Sequence, residues 1–469
     1  SKTTRRLWKH EDIEEFKVPD SRFDPPEGVH TPFQYFKMLF TDEMIEHIAY
    51  HTNLYSKLRI FLAILLYVGV FTFPLLEDYW HQESRFNIIA DIMLRKRFPL
   101  LRRYIHFCDN QHINESPDRF YKIRPLFEML CQQCLLIPST FKHSVDEVMV
   151  AYKGTMAGTL RQYIANKPVK WGFKLLCHAS SSGLIHDLML YQVISTFFNV
   201  AFTQQDQMLP LRANVLTTLC QTIKHPELSV VFFDSFFTSF DLIQSLYSSL
   251  GVRCIGTVRP NRTGGAPLMA DKDLVKQGRG ASDYRSAEGV IAVKWLNNKC
   301  VNLLSNASGI MPLSTVRQWS KESKAKTSIP CPSLIPAYNE HMGGIDLSDM
   351  LVHLYKTPAK SRRWYLPLFG YIIDLCLTNS WLVYKKDCHL LKQKPMSLKK
   401  FRLAVMCKGH TPRPSRPKPQ PDVRYDNMGH WPLHCDSGVN ATFVQRVCQG
   451  GDVRNVMFFC VSIQTKDAL

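Results

Sequence analysis

The run Leu228–Phe233 (LSVVFF) is almost uniformly apolar and stops abruptly at Asp234. A surface strand would alternate apolar and polar residues, so a short unbroken β-branched and aromatic run reads as a strand covered on both faces. A chain that contains one must build a sheet with helices on either side. Three further β-prone runs precede it: Ser144–Tyr152 (SVDEVMVAY), Gly172–His178 (GFKLLCH) and Leu188–Val193 (LMLYQV), each bounded by Gly, Ser or charged residues. Helical spacing follows at Thr238–Leu250, Ile345–Tyr355 and Trp364–Lys386. Strands with helices between them predict an α+β core, a mixed sheet flanked by helices.

The flanking regions differ in character. Residues 1–30 contain Pro19, Pro25 and Pro26 and read as an extended arm with little to pack. Residues 31–136 repeat apolar side chains at spacings of three and four, the pattern of a helical domain suited to DNA binding or dimerisation. Within it, Ile60–Leu76 runs 17 residues without a charge, at the lower limit for a membrane span. It holds Gly69 and Pro74 and is bounded by Arg59 and Glu77, so a buried helix is expected and no membrane association. The basic segment Met93–Asn110 is either a solvated helix face or a DNA backbone contact. The core is expected in two parts, 137–260 and 336–390. They are interrupted by 261–335, whose Gly, Lys, Ser and Asn content predicts an insertion domain, a separate lobe or an extended excursion. Residues 391–421 read as a basic linker, extended over Thr411–Pro421 (TPRPSRPKPQP), and 422–469 as a short tail.

Charge narrows the partner. Lys and Arg number 58 against 40 Asp and Glu, a net of +18. Lys356–Lys418 alone holds 15 Lys or Arg against Asp374 and Asp387, a net of +13. Such a balance points to a polyanion, nucleic acid before an acidic membrane surface. Hydrophobic residues at 45% exclude a disordered or fibrous chain. The 14 cysteines are scattered, with Cys131 and Cys134 the one close pair, which excludes a disulfide scaffold and predicts a reducing compartment. Cys131 and Cys134 themselves read as core packing. The chain starts at Ser1 on a polar, charged segment (SKTTRRLWKHED), which is not expected to be a signal peptide and leaves room for an upstream module.

Four acidic residues stand out by context. Asp146 lies inside a β-run beside Glu147, and Asp234 ends the most apolar strand. Asp346 follows Gly343-Gly344 at a helix start, and Asp349, three residues on, shares its helix face. A carboxylate ending a buried strand is costly unless paired or bound to a cation. Hard divalent ions take oxygen ligands, and two such ions suit phosphodiester chemistry. The separations of 88 and 112 residues match no local motif, and helix or turn capping explains single aspartates equally well. Basic and aromatic residues are interleaved at Arg161, Lys167, Lys170, Trp171 and Lys174, and again at Lys360, Arg362, Arg363 and Trp364, a mixture suited to phosphate and base contact. A solvated hairpin is the alternative for the first group.

Several longer words tie these residues together. SVDEVMVAYKG with RQYIANKPVKWGFK, VVFFDSFFTSFDL running on to GTVRPNR, and YNEHMGGIDLSDM resemble the piggyBac transposase family, as do HTNLY, DYW and RFPLLRRYIHFCDN. The resemblance covers most of the chain and implies an RNase H-like DDE/D core interrupted between its second and third acidic positions. On the matching words, the catalytic set is Asp146, Asp234 and Asp346. These three and Asp349 are the implied ligands of two Mg²⁺ or Mn²⁺ ions, and Arg259 and Arg262 join the candidate DNA contacts. Ser235 stands where the family usually has Asn, and Thr155 where Arg is usual; neither change removes a metal ligand. The family's Cys-rich zinc finger is not expected here. The tail has only Cys435, Cys448 and Cys460, with His430 and His434, and no Cys-x-x-Cys pair. The resemblance implies a nuclear, homodimeric protein on double-stranded DNA with TTAA targets. The rival readings are a domesticated DNA-binding or chromatin regulator and an interaction scaffold with a vestigial core.

Overall fold

The computed structural model describes residues 6–52, 55–109, 116–165, 167–198, 210–320 and 324–406. The chain divides into two compact units. The first comprises Ser1–Pro25, Gln111–Leu354 and Ala359–Leu382, the second Pro26–Asn110, Tyr355–Pro358 and Val383–Leu469. The Thr411–Pro421 linker and the tail cysteines lie outside the described residues.

In the second unit, helices α1 (Pro32–Leu39), α2 (Asp42–Thr52), α3 (Tyr55–Val70), α4 (Asn87–Ala90) and α5 (Arg97–Tyr104) come first. Thr31 and Gln34 form a reciprocal capping box that starts α1, with Pro32 at the first helical position. Leu58 and Phe61–Val68 of α3 are all buried, so the apolar stretch is a core helix. The fold then continues in the first unit with α6 (Arg124–Leu136), β1 (Lys142–Ala151), β2 (Gln162–Tyr163), β3 (Trp171–Ser180), β4 (Ile185–Leu190) and α7 (Leu211–Cys220). Next come β5 (Val230–Phe233), α8 (Phe240–Leu250), β6 (Arg253–Thr257), α9 (Asp271–Lys276), β7 (Ser282–Ala287), β8 (Val290–Leu296) and β9 (Cys300–Ser305). The last elements are β10 (Ser314–Ser320), β11 (Ala325–Cys331), α10 (Leu334–His341), α11 (Gly344–Leu354), α12 (Tyr365–Leu390) and α13 (Leu398–Met406).

Nine strands make one mixed sheet in the order β2-β3-β1-β5-β6-β9-β8-β7, with β4 also on β3. The pairs β1–β5 and β5–β6 are parallel; β3 pairs antiparallel with β1, and β6 with β9. All four residues of β5 are buried. Val231 and Phe233 pack with Leu216, Ile243 and Leu246 of α7 and α8, whereas Val230 and Phe232 pack with Leu334 and Ile335 of α10. Both faces of β5 are therefore covered, as its apolar run requires. The fold is α+β with an RNase H-like core.

Four expectations change. Segment 261–335 is not a detached lobe: β7, β8 and β9 extend the main sheet beyond β6, and β10–β11 form a separate two-stranded sheet. The fully buried β8 needed a packed neighbour on both faces, which only the main core could supply. The arm is not loose either. Lys9 pairs with Ser286 as a β-bridge, Phe16 N–H bonds the Ala307 carbonyl at 2.8 Å, and Asp12 accepts from the Ile310 and Met311 amides. Helix α6 falls in the first unit rather than with the helices before it. Finally, part of the expected linker is helical. In α13, Arg402 is buried, its guanidinium donating to the Leu66 carbonyl at 3.3 Å and to Thr357 Oγ1 at 2.9 Å. That charge is spent on internal hydrogen bonds. Helix α12 is long and apolar enough to cross a membrane by length and composition, yet 83% of its most apolar stretch is buried within the protein.

Candidate active site

Strand register brings the first two aspartates together. Val145 is paired with Phe233 in the parallel β1–β5 ladder, so Asp146 and Asp234 follow at matching positions on strands about 4.8 Å apart. Past the strand end, Asp234 turns the chain: its Oδ1 accepts the Phe236 N–H at 2.9 Å, and its carbonyl takes Thr238 Oγ1–H at 2.7 Å. Asp146 is 9% exposed, and its Oδ1 accepts the Glu147 N–H at 2.7 Å. Burial pushes the Asp146 carboxyl up to about 7, the charges of Glu147 and Asp234 push the same way, and Lys167 opposes them. Burial also raises the Asp234 carboxyl, again with Glu147 adding and Lys167 opposing.

Helix α11 supplies the other two carboxylates. A Cβ at Gly344 would stand 2.3 Å from the Ser180 carbonyl and 2.8 Å from Ser144 Oγ, so only glycine lets the helix start this close to β1 and β3. Ser144 is two residues from Asp146 and shares its strand face. One turn on, Asp346 is exposed and Asp349 half-buried. His353 Nδ1 lies 2.8 Å from the Asp349 carbonyl and 3.2 Å from its Oδ1. A single N–H serves the nearer carbonyl, which leaves the buried carboxylate Oδ1 without a hydrogen bond.

Lys167 reports on how these groups converge. Its Nζ stands 3.8 Å from Asp146 Oδ2 and 3.7 Å from Glu147 Oε1, and donates to the Glu147 carbonyl at 3.3 Å. Burial lowers its affinity for a proton, but Asp146, Glu147, Asp346 and Asp349 outweigh that and hold the ammonium above its ordinary value. With Asp234 also influenced by Lys167, one ammonium lies within electrostatic range of all four aspartates.

The donor set suits a hard divalent ion, because it is made of carboxylate oxygens, two of the carboxyls are held out of water, and one buried oxygen lacks a partner. With the ammonium among them, no three Asp, Glu, His or Cys side chains of the described residues stand close enough to share a metal.

The basic candidates divide by surroundings. Lys170 is exposed. Arg161 donates to the Lys153 and Gly154 carbonyls at 3.1 Å and stacks 4.4 Å over Trp171, whose ring is 43% exposed and lies 4.8 Å from Tyr163. Lys174 is buried, 3.6 Å from Glu147 Oε2 and 4.4 Å over the Phe236 ring. Arg262 donates to the Ser235 and Phe236 carbonyls beside Asp234 at 3.2 and 3.0 Å, and Arg259 is exposed nearby. Lys360 and Arg362 are exposed, while Arg363 donates to Tyr365 Oη at 3.0 Å. Tyr152 Oη bonds the Arg362 carbonyl at 2.8 Å, tying this segment to the end of β1.

Two participants escaped the sequence reading. Glu147 was visible only as the neighbour of Asp146, although its contacts with Lys167 and Lys174 organise the site. Tyr338, in the same word as Asp346, lies near Asp234 and Asp146; burial pushes its hydroxyl up to about 12.

A family profile described as Transposase IS4 matches residues 31–381. Human PiggyBac transposable element-derived protein 3 is 30% identical over 454 residues, covering 90% of this chain and 74% of its own length. Human PiggyBac transposable element-derived protein 2 is 29% identical over 429 residues, covering 87% and 71%. Among solved structures, a piggyBac transposase synaptic complex with hairpin DNA superposes with a TM-score of 0.68 at 22% identity, over 91% of this chain and 92% of that one. With a family profile matching residues 31–381 and a relative 30% identical over 90% of this chain and 74% of its own length, the chain belongs to the piggyBac transposase family.

Proposed function

We propose that this protein binds double-stranded DNA and breaks phosphodiester bonds in it with a DDE-type site of Asp146, Asp234, Asp346 and Asp349. The observation that carries the reading is convergence: the β1–β5 register sets Asp146 beside Asp234, and the close contact at Gly344 brings the helix of Asp346 and Asp349 against β1 and β3. Asp146 and Asp234 would hold one Mg²⁺ or Mn²⁺ ion in common, and Asp346 with Asp349 the second. When bound, such ions lower the cost of charge on the attacking and leaving oxygens. The chain's own part is positioning. The β1–β5 register and the Gly344 contact fix the carboxylates, and Arg262 braces the loop after Asp234. Exposed Lys170, Arg259, Lys360 and Arg362 offer charge to the phosphate backbone. A nuclear location, a homodimer and TTAA-containing targets complete the proposal.

The test is nicking of a TTAA-containing duplex in Mg²⁺ or Mn²⁺ by wild type and by Asp234→Asn. Ion-dependent nicking that disappears in the variant supports the reading. Specific duplex binding without nicking by either protein favours the second reading, a DNA-binding regulator.

A further inference from the structure

We propose that Lys167 is a tethered counter-cation of the carboxylate site, holding it neutralised in the metal-free protein and withdrawing when divalent ions bind. This rests on the metal-site reading above and adds to it a residue that competes with the ions.

Three observations converge on Lys167. The first is its direction. Two lysines share the short connection between β2 and β3, yet Lys170 is exposed whereas the Lys167 side chain is only 26% exposed and turned toward Asp146 and Glu147. A lysine dedicated to phosphate would face solvent. Secondly, its contacts are loose. The ion pairs of 3.8 and 3.7 Å are longer than a charge-assisted hydrogen bond, and its hydrogen bond, at 3.3 Å, goes to a backbone carbonyl. Such an ammonium neutralises the cluster without locking any carboxylate. The third is freedom to leave. Lys167 sits on a connection closed by the Ile164 N–H to Lys170 carbonyl bond, and its flexible stem can swing outward. Lys174 makes the contrast: it is buried on β3 between Glu147 and the Phe236 ring, so it stays.

An ammonium and a divalent cation cannot both keep the same carboxylates, since at about 4 Å their repulsion is large even with strong screening.

The test uses the full chain stripped with EDTA. Mn²⁺ binding is followed by electron paramagnetic resonance and thermal unfolding by circular dichroism, for wild type, Lys167→Gln and Lys167→Arg. The Gln variant should bind Mn²⁺ at least about tenfold more tightly than wild type. It should also melt lower in EDTA and recover in Mn²⁺, while the Arg variant keeps wild-type behaviour. If the Gln variant does not fold in EDTA, its folding on addition of Mn²⁺ supports the proposal and its failure to fold overturns it. Equal or weaker Mn²⁺ binding by the Gln variant overturns the counter-cation role and leaves the metal site standing. Absence of Mn²⁺ binding in all three proteins overturns both.

Discussion

His143 and Asp146 lie three residues apart on β1, both buried, and they meet burial in opposite ways. His143 Nδ1 and His178 Nε2 are 2.8 Å apart, and the His186 ring packs at 6.3 and 5.6 Å from their centroids. Burial lowers His143 to about 4 and holds His178 well below its usual value, so the imidazoles stay neutral and need no counter-charge. Asp146 is pushed the other way, toward the neutral acid, and sits among carboxylates served by Lys167. The His143 site has been made electrically quiet; the Asp146 site, mid-strand, retains a charge problem that a cation solves. Retained cost of that kind is expected where a site works rather than where it only packs.

The two sites should carry opposite pH signatures. For Asp146, folding raises the pKa above the unfolded value near 3.8, so its contribution is favourable below that pH and is lost as pH rises through about 7. Asp146→Asn should therefore stabilise the metal-free protein at pH 8 by on the order of 4 kcal/mol while abolishing nicking; denaturant titration in EDTA measures it. For His143 the sign reverses. Its folded pKa of about 4 lies below the unfolded value near 6.5, so full stability holds above 6.5 and falls as pH drops toward 4. That loss is about 3 kcal/mol from His143 alone. His143→Phe, read by the same titration between pH 7 and 4.5, should flatten the decline. A variant that keeps the wild-type slope would break the contrast.

Smaller effects sharpen it. Gly344→Ala drives a methyl into the Ser180 carbonyl and should cost about 1–3 kcal/mol, with a fall in nicking that a change on the histidine side would not produce. Melting temperature and initial nicking rate together check this. Smallest is the surface term. Replacing Lys360, Arg362 and Arg363 by Ala should reduce the salt dependence of DNA affinity by about two units of slope, since two of the three are exposed and Arg363 is engaged by Tyr365. A fluorescence-anisotropy salt titration that overlays wild type would remove this segment from the DNA surface.

Much of the sheet was legible locally. LSVVFF contained β5, SVDEVMVAY lay within β1 and Tyr152, and Ile345–Tyr355 missed α11 by one residue at each end, because apolar runs and periodicity are local signals. What was not legible depends on pairing across long separations. Nothing in 261–335 announces that β9 will pair with β6, or that the arm will bridge Ser286, since edge pairing is settled by shape and backbone hydrogen bonds. The aspartates were found through their surrounding words; spacing alone left them open to capping. Lys167 stood out only as one basic residue among several, and its inward turn comes from the fold. The histidine cluster gave no signal at all, being spread over three strands.

If the carboxylates are gathered for divalent cations, calorimetry will register it without DNA or catalysis. Mn²⁺ should be titrated into the EDTA-stripped chain, wild type beside the Asp146→Asn, Asp234→Asn double variant. Wild type should give saturable heat approaching two ions per chain, and the double variant at most one, held by Asp346 and Asp349. Superimposable titrations, or a wild type without saturable heat, would contradict it.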